Sequence, residues 1–451
     1  MSPIDKLKKL IVGFLLENKI PLTLNFYLID FQKISNIFIY LKSVYLVFFQ
    51  KLNIMRFYEF VKYVLREFYG YKFVEYKNVK RQKTDIPYCL KFESNQFEIY
   101  LIIQQKPDGK LSIRNEFSLK LNSFHQGKKH RYFVSRSISK GSYGKVYLCV
   151  DEDGNQFAMK LFQFSHEMDI ELKALDHLED IDQVITAIDS FNFSSLLDIK
   201  FGAFVMPFME YTLKSFVEKY NPSEDFLLRV FYRLLLNLRK IHEMGCFHMD
   251  IKPENILINV YPDGTVDMKL ADFGLAEIFP KGTHYATTKD AKITDWFRCM
   301  MNALAQANNT DFRISWISDV FALCVSMIYM CSRKSGKSFD FLNSPMFNIF
   351  RGPQFFKSNR EDDESPKELD IELSKIRIEN ACRTAIKNEF FRDILIEYMN
   401  PESIMRWYSE LETCPKDNSV IMEVIQKIEE YLRMTESDSE TPPRPHATDS
   451  P

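Results

Sequence analysis

The sequence predicts an α+β fold in which a strand-rich portion precedes a helical one. Between residues 71 and 160 short apolar runs recur with strand-like alternation, as in Tyr71-Lys72-Phe73-Val74-Glu75-Tyr76 and Phe97-Glu98-Ile99-Tyr100-Leu101-Ile102. After about residue 212 the period changes: Leu227, Leu228, Phe231, Leu234, Leu235, Leu238 and Ile241 fall on one face of a helix over Glu224 to Glu243. The 451 residues can hold two or three cores, since single domains usually stop growing at about 250–300 residues.

Residues 1–54 form an apolar N-terminal segment of uncertain character. Lys6-Leu7-Lys8-Lys9 before Leu10 to Leu16 has the charge order of a signal peptide, but the apolar run is short and no small-residue cleavage site follows. From Leu22 to Gln50 the apolar run is interrupted by Asp30, Lys33 and Lys42, short of the ~18–20 residues of a spanning helix. Met55 to Phe68 has helical spacing, and Pro107-Asp108-Gly109 turns one strand into the next, Lys110 to Arg114, as a hairpin. Residues 55–125 are therefore expected to be a small α+β extension of unknown role. The polar stretch Asn122 to Arg131 is expected to be a solvated linker.

The main region runs from 132 to 431, with a charged surface insertion expected at Ser358 to Asp370. Residues 432–451 form an acidic, proline-rich tail whose composition predicts disorder. With 59 basic against 61 acidic residues the net charge is −2, which gives no global signal for nucleic acid or an acidic membrane. The eight cysteines (Cys89, Cys149, Cys246, Cys299, Cys324, Cys331, Cys382 and Cys414) are scattered without a C-x-x-C pair. They read as buried thiols of a reducing compartment, cytoplasmic or nuclear, and not as a disulfide or zinc framework.

Two segments carry chemistry: His248-Met249-Asp250-Ile251-Lys252-Pro253-Glu254-Asn255, and Asp272-Phe273-Gly274. Their spacing supplies a carboxylate, a lysine, an asparagine and a second carboxylate, the groups that phosphoryl transfer from a nucleotide calls for. These segments resemble the catalytic loop and metal-binding turn of eukaryotic protein kinases, matching the loop at seven of eight positions. The resemblance implies a two-lobed fold, with a β-rich N-lobe and a helical C-lobe. It also implies transfer of the γ-phosphoryl of ATP, with Mg²⁺, to Ser/Thr hydroxyls of a protein substrate. No nucleic-acid partner is expected, and membrane association is not expected.

Residue by residue, the resemblance makes Asp250 the group that accepts the hydroxyl proton and Lys252 the neutraliser of charge on the phosphoryl group. Asn255 and Asp272 are the metal ligands. Lys252, two residues after Asp250, matches the Ser/Thr-specific loop. Ser139-Lys140-Gly141-Ser142-Tyr143-Gly144-Lys145-Val146 resembles the nucleotide loop, with Ser139 in place of the first glycine; taken alone it reads equally as a plain hairpin. Phe157-Ala158-Met159-Lys160 resembles the strand whose lysine grips the phosphates, with Glu171 as that lysine's partner and Glu167, one turn earlier, as the alternative. Phe204 to Glu210 resembles the hinge. The implied nucleotide set is Ser139, Gly141, Gly144, Val146, Ala158, Lys160, Met206, Pro207 and Met209.

Thr294-Asp295-Trp296-Phe297-Arg298 resembles the Thr-x-Trp-Tyr-Arg of the branch with cyclin-dependent and mitogen-activated kinases, which places Thr294 beneath the substrate beside Asp250 and Lys252. Cys299-Met300-Met301 stands where that branch has Ala-Pro-Glu, and Arg406 is the candidate leftover partner of the missing Glu. Asp319 is expected to brace the catalytic loop. Met249 replaces the Arg that in the family binds an activation-segment phosphate. Phosphorylation of Thr283, Tyr285, Thr287 or Thr288 is therefore not expected to be the main switch. The contrasting expectation is a pseudokinase scaffold, suggested by Ser139, Met249, the lost Ala-Pro-Glu and the short route from Lys160 to Glu171.

Overall fold

The structure, a computed structural model, describes residues 74–76, 88–93, 96–105, 111–140, 144–194, 200–261, 265–289, 297–334, 368–413 and 419–435. The expectations for residues 1–54, for a helix over Met55 to Phe68, for the Pro107-Asp108-Gly109 turn, for most of the 358–370 insertion and for the tail beyond 435 lie outside these residues; residues 432–435, assigned to that tail, instead end a helix that begins at Ser419. The described chain falls into two compact units. One comprises residues up to 169 with 187–208, the other 170–186 with the chain from 209 on.

The first unit contains two antiparallel sheets. Strands β1 (Val74–Tyr76), β2 (Tyr88–Glu93), β3 (Phe97–Gln105) and β4 (Leu111–Leu119) lie in that order, with β3 and β4 paired as expected from Phe97↔Leu119 to Gln105↔Leu111. The second sheet holds β5 (Phe124–Gln126), β6 (Arg131–Lys140), β7 (Gly144–Val150), β8 (Gln156–Phe162), β9 (Asp189–Ser194) and β10 (Lys200–Pro207), ordered β5-β6-β7-β8-β10-β9.

Directly opposed residues of an antiparallel ladder share a face. The pairings Lys145↔Leu161↔Ala203 and Tyr147↔Met159↔Val205 therefore define one face, and Val146↔Lys160↔Phe204 and Ala158↔Met206 the other. On the first face Tyr147, Met159, Leu161, Phe201, Ala203 and Val205 are all buried. Its cover comes from the N-terminal sheet. Phe117 stacks on Phe201 with ring centroids 4.2 Å apart, Phe97 meets Phe201 edge-on at 5.1 Å, and Phe193 lies 5.0 Å from Phe201. Aromatic pairs in these geometries add about 0.5–1.5 kcal/mol each to the area they remove from water.

Residues 122–131 are not the linker their polarity suggested. They supply β5, which pairs with β6 from Phe124↔Phe133 to Gln126↔Arg131, and a turn whose Lys128 and Lys129 amides donate to the Asp189 carboxylate at 2.9 and 3.3 Å. Asp189 also accepts from the Tyr132 hydroxyl at 2.8 Å. Polarity misleads here because the buried side chains, Ser123 and His125, are themselves polar and hydrogen-bonded to each other at 3.0 Å.

Helix α1 (Ser165–His177) crosses from the first unit into the second. The second unit is mainly helical: α2 (Leu213–Tyr220), α3 (Glu224–Glu243), α4 (Met300–Ala307), α5 (Trp316–Lys334), α6 (Ile371–Ala385), α7 (Glu389–Met399), α8 (Pro401–Thr413) and α9 (Ser419–Thr435). Ser223 caps α3 by accepting the Phe226 amide at 3.1 Å, and the apolar stripe expected from the spacing is buried. Within α5, Trp316–Arg333 is long and apolar enough to cross a membrane, but 94% of it is buried inside the unit, as in a core helix.

Short strands join these helices: β11 (Tyr211–Thr212), β13 (Ile256–Val260) and β14 (Val266–Leu270) form one sheet. Two further pairs are β12 (Cys246–Phe247) with β15 (Glu277–Ile278), and β16 (Tyr285–Thr288) with β17 (Phe312–Ser315).

Arg406 is not a stranded buried charge. Its side chain is 66% exposed and pairs with Glu410 one turn on, at 3.8 Å. In place of an ion pair, Cys299 and Met301 are buried and the Tyr408 hydroxyl bonds the Ser318 hydroxyl at 3.1 Å. Replacing both charges by packed neutral groups is tolerated where removing one alone is costly.

Candidate active site

In the first unit, Val146, Ala158, Lys160 and Met206 share the second face of the six-stranded sheet. Lys160 is 7% exposed, with its ammonium 5.0 Å from the Phe162 ring centroid. A buried lysine ammonium costs free energy unless it is compensated, and here the neighbouring Phe162 ring supplies one such contact. Ser139 is exposed near the end of β6, opposite Val146. Gly144 opens β7 opposite Phe162, and a Cβ there would sit 2.2 Å from the Leu161 carbonyl oxygen, so only glycine fits. Gly141 lies outside the described residues. Pro207 ends β10, opposite Phe157.

In the second unit, Met209 is buried, with its sulfur 3.4 Å from the Asn259 amide nitrogen. Glu171, on α1, is 1% exposed and shares its helical face with buried Leu175 and Leu178, whereas Glu167 is only half-buried. A Cβ on Gly274 would lie 3.3 Å from a Glu171 carboxylate oxygen and 3.7 Å from an Asp272 oxygen, so Glu171 reaches the Asp272–Gly274 turn.

The catalytic-loop segment is organised around Asp319 of α5. Its carboxylate accepts the His242 ring NH, the His248 amide and the Met249 amide, each at 2.9 Å. Burial alone would push the Asp319 carboxyl up, but the hydrogen bond from His242 and the two histidines hold it below its ordinary 3.8. The His248 ring bonds the Ala271 carbonyl at 3.1 Å and lies 4.4 Å from the Phe273 ring, while the Ala271 amide donates to the Asn255 carbonyl at 3.0 Å. These contacts strap the Asp272 turn to the loop.

Within the loop, Lys252 donates to the Asp250 carboxylate, and the Asn255 amide donates to the Asp250 carbonyl at 2.9 Å and to its carboxylate at 3.0 Å. Asp250, Lys252 and Asn255 are thus brought together, and Asp272 is tied to them through Ala271. Met249 and Asp272 both adopt left-handed backbone, at φ of 61° and 67°. Such residues cost about 1–3 kcal/mol and persist only where surroundings over-determine them. Met249 is held by Asp319 and by an apolar cluster with Phe247 and Ile314, against which Phe279, Ala286 and Phe312 pack. Thr294 lies outside the described residues.

A description of the protein kinase domain family matches residues 132–377, more than half of the chain. The chain belongs to the protein kinase family. Among its curated relatives, mitogen-activated protein kinase 12 of Danio rerio is 26% identical over 335 residues, covering 71% of this chain and 84% of that protein. The probable serine/threonine-protein kinase glkA of Dictyostelium discoideum is 32% identical over 159 residues, 34% of this chain and 31% of that protein. The serine/threonine-protein kinase ppk23 of Schizosaccharomyces pombe is 29% identical over 244 residues, 50% of this chain and 58% of that protein. The chain therefore spans about a third of glkA and over half of ppk23. These relatives agree with the Ser/Thr kinase reading of the loop, and none favours the scaffold alternative.

Residues that sequence reasoning missed include His242, which completes the Asp319 hub, and Glu412. The latter accepts from the Tyr285 hydroxyl at 3.1 Å and from Arg313 at 3.2 Å. His242 carried a signal, since it continues the buried face of α3 one residue past Ile241; Glu412 carried none.

Proposed function

We propose that this chain is an active Ser/Thr protein kinase that transfers the γ-phosphoryl group of ATP to a protein hydroxyl. The observation that carries the reading is the group Asp250, Lys252 and Asn255, hydrogen-bonded to one another and braced through Asp319. In the reaction the substrate hydroxyl oxygen forms a bond to the γ-phosphorus as the bond to the ADP oxygen breaks, and the hydroxyl proton goes to the Asp250 carboxylate. Asn255 holds that carboxylate in place, and Lys252 neutralises charge developing on the equatorial oxygens. Such preorganised charge is usually the largest catalytic contribution.

The donor set fits Mg²⁺. Asn255 commits its NH₂ to Asp250, so the atom it offers a hard cation is its carbonyl oxygen, and Asp272 offers a carboxylate. Two protein oxygens completed by phosphate and water suit a small octahedral cation. When bound, the ion supplies charge neutralisation on the phosphates. Lys160 and Glu171 are assigned to phosphate binding and its support. Val146, Ala158, Met206, Pro207 and Met209 are assigned to the adenine environment, and Thr294 to substrate positioning. The buried free thiols, Cys149, Cys246, Cys299, Cys324, Cys331 and Cys382, support a reducing compartment.

Incorporation of labelled phosphate from Mg·ATP into a generic Ser/Thr substrate tests the reading. Asp250→Asn should abolish the signal; equal incorporation by wild type and Asp250→Asn would overturn it in favour of the scaffold.

A further inference from the structure

We propose that Lys145 is a positioning residue for nucleotide binding, and that it acts through the N-terminal sheet and not by touching the phosphates. The inference rests on the ATP-dependent reading above. A lysine directly after the loop glycine Gly144 invites assignment as a phosphate contact, but the ladder directs it elsewhere. Lys145 pairs with Leu161 and Ala203 on the covered face of the sheet, opposite to the face that carries Lys160. There its ammonium donates to the Phe117 carbonyl at 3.1 Å and to the Ser118 hydroxyl.

Two more side chains repeat the arrangement. Tyr147, next on the same face of β7, accepts the Leu119 amide at 3.1 Å through its hydroxyl. Gln163, three residues beyond Lys160, accepts the Phe117 amide at 2.8 Å and donates to the Phe117 carbonyl at 3.4 Å. The last three residues of β4 thus hold both the strand that leaves the nucleotide loop and the one that carries Lys160.

The strand is held from both sides. Gly144 backs onto the Leu161 carbonyl so closely that a Cβ there would lie 2.2 Å from its oxygen, and β4 fixes the side chains at 145 and 147. The height of β7 over the nucleotide face is then set partly by residues outside the matched kinase region, which begins at 132. Releasing Lys145 should loosen ATP while leaving the phosphoryl-transfer groups of the other unit intact.

The test compares Lys145→Met, Lys145→Arg, Ser118→Ala and the Lys145→Met/Ser118→Ala pair in the full chain, reading KM for ATP, kcat and equilibrium binding of Mg·ATP. Lys145→Met should raise KM and Kd for ATP roughly five- to tenfold, the size of one ordinary net hydrogen bond, with kcat within about twofold. Lys145→Arg should restore most of the affinity. Ser118→Ala should raise KM in the same direction, and the pair should be less than additive, because both variants break one contact.

A direct phosphate contact would leave Ser118→Ala at wild-type KM with Lys145→Met impaired, and that result overturns the proposal. So does a loss of thermal stability with KM unchanged, which marks a merely structural tie. If Lys145→Met does not fold, Tyr147→Phe, which removes the acceptor for Leu119, must raise KM for ATP or the proposal falls. A wild-type chain that neither binds nor turns over ATP would defeat the kinase reading itself, a separate outcome.

Discussion

Replacing Asp319 by Asn leaves the shape of the side chain unchanged and reverses one of its two oxygens from acceptor to donor. In the native chain Oδ2 accepts from both His242 and His248, and Oδ1 from Met249. The amide would turn its oxygen to the two-donor side, leaving the Met249 amide facing an NH₂ group. A buried donor left without an acceptor costs about 1–3 kcal/mol, and a bond to a charged acceptor contributes about 1.5–3 kcal/mol, so a total near 2–4 kcal/mol is expected. Met249 would also lose what holds its left-handed backbone, so the shift should reach Asp250 and lower kcat more than it raises KM for ATP.

Denaturant unfolding of the full chain, with kcat and KM measured on the same preparations, checks both parts. Stability within about 0.5 kcal/mol of wild type together with unchanged kcat would refute the reasoning. The pH dependence carries the same sign. The folded carboxyl sits below its ordinary 3.8, so its contribution is present above that value and is lost as pH falls through the folded value. The acid limb of the stability curve should flatten in Asp319→Asn.

Other outcomes follow from the same geometry. Met249→Arg places a charge among Phe247, Ile314 and Phe312 and should destabilise by about 2 kcal/mol or more in urea melts, whereas Met249→Leu should cost under about 1.5 kcal/mol. Substituting Thr283, Tyr285, Thr287 and Thr288 together by Val, Phe, Val and Val should leave kcat within about threefold, because Met249 cannot read a phosphate. Abolished turnover with folding intact would contradict that. Burial pushes the His125 imidazole down to about 4, so the unfolded chain takes up its proton first as pH falls below 6.5, and stability should decline from there toward pH 4. His125→Leu should blunt that decline in pH-dependent thermal melts. Gly144→Ala forces a Cβ against the Leu161 carbonyl oxygen and should raise KM for ATP by about tenfold or more, in steady-state kinetics, by moving β7 off β8.

The elements most legible in the sequence were those with long, regular periods or dense motifs. The buried stripe of α3 and the pairing of β3 with β4 follow from spacing, the loop around Asp250 from its resemblance to the kinase motif, and the expectation that Asp319 braces that loop matches three hydrogen bonds. The inward face of α1 separated Glu171 from Glu167 by a single turn, and burial agrees with the periodicity. One failure came from reading polar residues as solvated, and another ran the opposite way. Ser123, His125 and the Lys128–Lys129 amides are polar, yet they belong to the sheet and its Asp189 anchor. Arg406 was taken for a buried partner because the family has one there, whereas a neutral Cys299–Tyr408–Ser318 arrangement removes the need. The cover on the six-stranded sheet was invisible for another reason: Phe97, Phe117 and Phe201 lie far apart in sequence, and no local pattern links them.

That cover bears on how the chain comes to be folded. The N-terminal strands leave the ribosome before the sheet they shield, so Phe97 and Phe117 wait, wet and sticky, for Phe193 and Phe201, at least about 250 Å of extended chain behind them. A fragment begun at residue 132, where the family match starts, would have the opposite problem. It would be made with Phe201 and Tyr147 facing water and nothing upstream to hide them, and it should aggregate where the longer chain stays dispersed.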